Sequence, residues 1–248
     1  MIRDFGRRLL GITAVVFGVS AFAWHDFNSA KPIASLPLRE IILYVTAVAN
    51  IVGGLMMQRR RTLSVGTASV ASVMLLFTLL KIPGIISAPN IYNNWGGFFE
   101  QLSLLCGAII VLAGTGPQNQ AWRARAARTA YILFGLCVVS FALEQVFYLR
   151  ATADFVPAWI PPNQMFWAVA TTIAFAMAAL AIFSGRYALL ATQLLTAMLV
   201  AFGFLVWLPQ LFSAPPMLFT WAESTETFAI AASAWIAAAR LYDSRSGK

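Results

Sequence analysis

Apolar and polar positions alternate along this chain in long blocks whose length matches a bilayer. Eight apolar runs stand out, at about 8–26, 38–58, 62–82, 97–115, 129–149, 164–184, 186–208 and 221–241. Each is near the roughly 20 residues that cross the hydrocarbon as a helix. Helix is the only open-chain answer, because a span must satisfy its own N–H and C=O groups and the alternation of a barrel strand is missing. The pattern predicts an all-α membrane protein with eight transmembrane helices.

The polar connections then give orientation. Arg3, Arg7 and Arg8 precede the first run, and Arg59, Arg60 and Arg61 fill the turn between the second and third. Arg123, Arg125 and Arg128 lie between the fourth and fifth, Arg186 between the sixth and seventh, and Arg240, Arg245 and Lys248 close the chain. Of the 17 cations, only Lys31, Arg39, Lys81 and Arg150 are left for the other side. Cytoplasmic loops collect Lys and Arg, so both termini are expected in the cytoplasm, with the protein in the plasma membrane (the inner membrane of a Gram-negative cell). Composition agrees: 10% of residues are charged and mean hydropathy is +0.77, where a soluble domain carries about 25% charged residues. The net charge of +8 is thus a topology signal that also suits anionic headgroups, and it does not point to nucleic acid. Ala21-Phe22-Ala23 after a basic, apolar start also fits a cleavable signal peptide. A matching helix in the interior of the chain favours a retained first helix.

The chain repeats itself. Pro83 matches Pro209, Ser87-Ala88-Pro89 matches Ser213-Ala214-Pro215, Trp95 matches Trp221 and Glu100 matches Glu226, every pair offset by 126. Phe17-Gly18 echoes Phe134-Gly135, and His25-Asp26-Phe27 falls roughly where Gln145-Val146-Phe147 falls. The expected organisation is two four-helix repeats, 1–116 and 129–248, joined by a basic linker, 117–128. An even number of helices per repeat inserts both in the same sense, related by a pseudo-twofold along the membrane normal.

The stretch from Phe141 to Ala188 carries Glu144-Gln145-Val146-Phe147, then Val156-Pro157-Ala158-Trp159-Ile160-Pro161, then Gly185-Arg186. These features resemble the DoxX-like family of small four-helix membrane proteins. The first half looks like a more diverged copy, with His25-Asp26-Phe27, Leu36-Pro37 and Gly53-Gly54. The resemblance implies a small membrane subunit linked to quinol or thiosulfate–quinone oxidation, with quinone as the ligand and a membrane redox complex as partner. The family's histidine after the first helix is Gln145 in the second half, which weakens any role needing an imidazole there.

Candidate chemistry lies in the few polar residues. Seven of the nine acids fall toward the outer side: Asp26, Glu40, Glu100, Glu144, Asp154, Glu223 and Glu226. One reading makes each acid near a helix start a partner of the helix dipole, worth about 0.3–1 kcal/mol. The other makes one outward polar pocket in each half, built from Glu100 and Gln101 with His25 and Asp26, and from Glu223 and Glu226 with Glu144 and Gln145. Glu223 and Glu226 share a helix face and repel unless a proton or a cation such as Lys81 or Arg150 intervenes. His25 is the only histidine, too few for a bis-histidine haem or a zinc site, so no metal centre is expected. It remains a candidate proton-transfer group for a quinol headgroup. Cys106 and Cys137 make no C-x-x-C motif and suit small apolar positions in a bundle. Phosphate loops, nucleophile motifs and dinucleotide fingerprints are missing. Trp24, Trp95, Trp159, Trp167, Trp207 and Trp221 suit an interfacial belt. The expected function is an accessory or quinone-associated subunit of a membrane redox system. The alternatives are a small-solute transporter or channel, and a non-catalytic structural partner.

Overall fold

The computed structural model describes residues 2–26, 38–116, 120–213 and 217–246. Phe27, Lys31, Leu36, Pro37, Ala214, Pro215, Lys248 and residues 117–119 of the expected linker lie outside the described residues, as do the side chains of Arg3, Asp243 and Arg245. The regular structure of the described residues is all helix: α1 (Ile2–Trp24), α2 (Arg39–Met56), α3 (Leu63–Ser87), α4 (Tyr92–Ala113), α5 (Ala121–Phe147), α6 (Leu149–Phe155), α7 (Gln164–Ser184), α8 (Ala188–Phe202), a π-turn (Gly203–Trp207) continuing into α9 (Leu208–Ser213), and α10 (Leu218–Ser246). Seven segments are long and apolar enough to cross a membrane: Asp4–Trp24, Arg39–Met56, Leu63–Ser87, Tyr92–Ala113, Ala121–Phe147, Gln164–Ser184 and Ala188–Phe212.

Helix α10 is less apolar for a reason visible in its packing. Ala231, Ala232, Ser233, Ala234 and Ala237 are fully buried, and α10 contacts α1, α4 and α8. A helix wrapped by other helices meets little lipid, so small residues that allow close approach serve it better than large apolar ones. Facing it, α4 buries Leu104, Cys106 and Ala108 completely. A Cβ on Gly107 of α4 would strike the Ser233 side chain, so glycine at that point permits the α4–α10 contact.

The helices form a closed ring that runs through this pair. Helix α1 packs on α2 and α10, α3 on α2 and α4, α4 on α5, α5 on α7, α7 on α8, and α8 on α10. The first helix of each expected repeat therefore lies against the last helix of the other: α1 on α10, and α5 on α4. The two expected halves interlock through these contacts. The α1–α2 seam is close because glycines line it: a Cβ on Gly54 would meet the Gly11 carbonyl oxygen.

The arginine-rich end is locked by side chains. Arg7, 5% exposed, donates from Nη1 to the Met57 carbonyl at 2.5 Å and from Nε to Asp4 at 2.9 Å. Asp4 also takes Arg60 at 3.0 Å. Helix α7 starts on Asn163, whose side chain accepts from the Phe166 N–H at 2.8 Å, and ends on Gly185 at φ +69°, a left-handed conformation that glycine enters without strain.

Candidate functional site

Two helices begin earlier than their apolar runs suggest, and this decides where the acids sit. Helix α4 starts at Tyr92 and α10 at Leu218, and neither has an acid in its first turn. Glu100 and Glu226 each follow their helix start by eight residues, about 12 Å along the axis. The early start of α4 has a local cause. Asn94 donates from Nδ2 to the carbonyls of Gly84 and Ala88, both at 3.0 Å, tying the first turn of α4 to the end of α3. The helix-dipole reading therefore fails for Glu100 and Glu226. It suits Glu40, which lies in the first turn of α2.

Glu100, Glu223 and Glu226 interact electrostatically with one another and with Lys81 of α3, and Glu144 of α5 joins them through Glu100, Glu223 and Lys81. All five are partly buried. The interlock of the halves produces this convergence, because α4 brings Glu100 between α5 and α10. Two glycines of α4 make room. A Cβ on Gly96 would land on the Glu144 carboxylate, and one on Gly97 would lie 3.3 Å from Lys81 Nζ.

These groups converge without closing on one another. Among the described residues, the direct side-chain contact within the set is Gln101 Nε2 donating to Glu226 Oε1 at 3.0 Å. Lys81, Glu100, Glu144 and Glu223 form no ion pair there. Beside them lies a cavity of about 90 Å³ between α1, α3, α4 and α10. Its polar lining is Ser20, Asp26, Lys81, Gln101 and Glu226, and Phe17, Met74 and Phe77 give apolar walls. Ser20 is 5% exposed, and its hydroxyl has no hydrogen bond among the described residues. A space this size has room for ordered water, and its polar partners suit water or a polar ligand. Trp24 and Trp221, with ring centroids 6.3 Å apart, pair where α1 and α10 meet near the acidic end.

The other expected site residues fall elsewhere. His25 is exposed and its Nδ1 lies 3.0 Å from the Tyr44 hydroxyl, outside the cavity lining. Asp26 lines the cavity and pairs with Arg39 at 2.7 Å. Gln145 accepts from the Thr171 and Thr172 hydroxyls of α7 at 3.2 and 3.0 Å, while its neighbour Glu144 turns to the cluster. Of the two cations considered for the glutamates, Lys81 is present and Arg150 is exposed on α6. Sequence reasoning missed Ser20, which carries no signal in a chain rich in small residues. Cys106 and Cys137, 31 positions apart, meet across the α4–α5 contact, and both are fully buried. Among the described residues, no group of three or more His, Cys, Asp or Glu is placed to hold a metal ion.

No protein-family model, curated protein or solved structure matches this chain.

Proposed function

We propose that this chain is a plasma-membrane protein of DoxX-like type, duplicated, with eight spans and cytoplasmic termini, and that it binds and moves a small polar solute together with protons. The observation that carries the reading is the meeting of Glu100, Glu144, Glu223 and Glu226 with Lys81 beside a polar cavity, with no direct ion pair among them. Ionisable groups within a membrane are costly and cluster on substrate or proton routes. Four carboxylates around one ammonium leave negative charge that a proton or a ligand must offset. The burial of α10 among other helices supports an eighth span, and the cross-packing of α1 with α10 and α5 with α4 supports a pseudo-twofold relation of the halves. The location of the arginines supports the orientation.

The test is flux in proteoliposomes. Imposing a pH gradient should drive uptake of small polar solutes and a matching proton movement, and Glu226→Gln should abolish both. Vesicles no leakier than protein-free ones across a broad solute panel would reject the reading.

A second reading, a quinone-associated accessory subunit of a membrane redox system, draws on the apolar walls Phe17, Met74 and Phe77, which suit a flat ring. It loses its expected proton donor, since His25 bonds Tyr44 outside the cavity. A quinone or a redox subunit retained through mild extraction would favour it.

A further inference from the structure

We infer that the cavity between α1, α3, α4 and α10 is built for a small zwitterion, a ligand carrying an ammonium and a carboxylate on a short stem. The assignment rests on the solute-binding reading and names the chemical class of the solute. Three features of the lining carry it.

Opposite charges face one space without neutralising each other. Lys81 and Glu226 both line the cavity, and no ion pair joins them. A ligand with one charge would satisfy one wall and be repelled by the other. A zwitterion places its carboxylate toward Lys81 and its ammonium toward Glu226. Such charge-assisted contacts are about twice as strong as neutral ones.

Ser20 supplies the second observation. Its side chain is nine-tenths buried, faces the cavity and has no partner among the described residues. A helical serine ordinarily bonds the carbonyl one turn back; this one does not, and it is free to donate to a ligand oxygen. Its hydroxyl opens onto the cavity, where water or a ligand oxygen can meet it.

Size and apolar lining complete the match. A cavity of about 90 Å³ flanked by Phe17, Met74 and Phe77 has space for a short stem.

The experiment is calorimetric titration of the purified full-length protein in nanodiscs with L-alanine, and with ethylammonium and propionate as its two half-ligands. L-alanine should bind saturably, and each half-ligand about tenfold or more weaker, the loss of one charge-assisted hydrogen bond. Ser20→Ala, a mild change, should weaken L-alanine roughly three- to tenfold, the worth of one hydrogen bond. Glu226→Gln should cost L-alanine and ethylammonium affinity and spare propionate, whereas Lys81→Met should do the reverse. Ethylammonium binding as tightly as L-alanine would make this a plain cation site and overturn the assignment; equal binding of propionate would make it an anion site and do the same. If none of the three binds while Glu226-dependent proton flux persists, the zwitterion assignment falls and the transport reading stands. If L-alanine binds as described but no flux is found, the transport reading falls and the assignment of the ligand class stands.

Discussion

Replacing Glu226 by glutamine should stabilise this protein while removing its activity. The substitution keeps shape, and Gln101 still finds an oxygen where it now donates to Glu226 Oε1 at 3.0 Å. What changes is charge. Glu226 interacts unfavourably with Glu100 and Glu223 and favourably with Lys81. Two unit charges about 6 Å apart at an effective dielectric of about 20 interact by about 3 kcal/mol. Two repulsions against one attraction leave a net cost of one such pair, and solvent in the cavity screens part of it. A gain of about 1–2 kcal/mol on neutralisation is the expectation. For a chain of this size each kcal/mol raises the melting temperature by about 2–4 °C, so Glu226→Gln should melt roughly 2–8 °C higher. Scanning fluorimetry of the purified protein reads this, with Trp24 and Trp221 close by as reporters. A gain in stability with a loss of flux is the mark of a group kept for function at a structural cost. A lower melting temperature with flux intact would refute the reasoning and make Glu226 a structural anchor through Gln101.

Other consequences follow from the packing. Gly54→Ala puts a methyl onto the Gly11 carbonyl oxygen; backbone cannot yield as a side chain does, so a loss of about 1–3 kcal/mol is expected in denaturant titrations. Gly97→Ala meets only the flexible end of Lys81 at 3.3 Å and should be much milder in the same titrations. Arg7→Ala removes donors to the Met57 carbonyl and Asp4, each charge-assisted bond being worth about 1.5–3 kcal/mol; loosening of the α1–α2 end should appear as faster hydrogen exchange there. Cys106 and Cys137 should cross-link under iodine or peroxide, read as the loss of two hydrogens in intact mass, with Cys137→Ala abolishing it. Failure to cross-link in unfolded and folded protein alike would point to the reagent, whereas cross-linking only after unfolding would argue against the α4–α5 contact.

The helical architecture was largely legible in the chain because lipid imposes it locally: a run of apolar residues long enough to span must be helix, whatever it packs against. Helix starts were less legible. Tyr92, Asn93 and Asn94 look like a polar loop, and they are helical because Asn94 bonds carbonyls of α3 and the Tyr148 hydroxyl accepts from the Asn93 N–H at 3.2 Å. Those partners are far along the chain or across a turn, so no local pattern reveals them. The shift moved Glu100 from a helix start to its third turn and changed the meaning of the residue. The candidate glutamates were found in sequence because charge is conspicuous in an apolar run. Their assembly into one site was not, since it depends on α1 packing on α10 and α5 on α4. Ser20, His25 and the cysteine pair illustrate the same limit: the residue type was visible and its neighbour was not.

The central claim is that both halves contribute to one water-accessible cavity at the acidic cluster. Its most direct test places a single cysteine at Ser20 in a variant lacking Cys106 and Cys137, and labels oriented vesicles with a membrane-impermeant thiol reagent. The cavity predicts labelling of Ser20→Cys from the acidic-end side alone, slowed by saturating ligand, with no labelling of a control cysteine at buried Ala14. Ser20→Cys that stays unlabelled in folded protein, yet reacts once the protein is denatured, would contradict it.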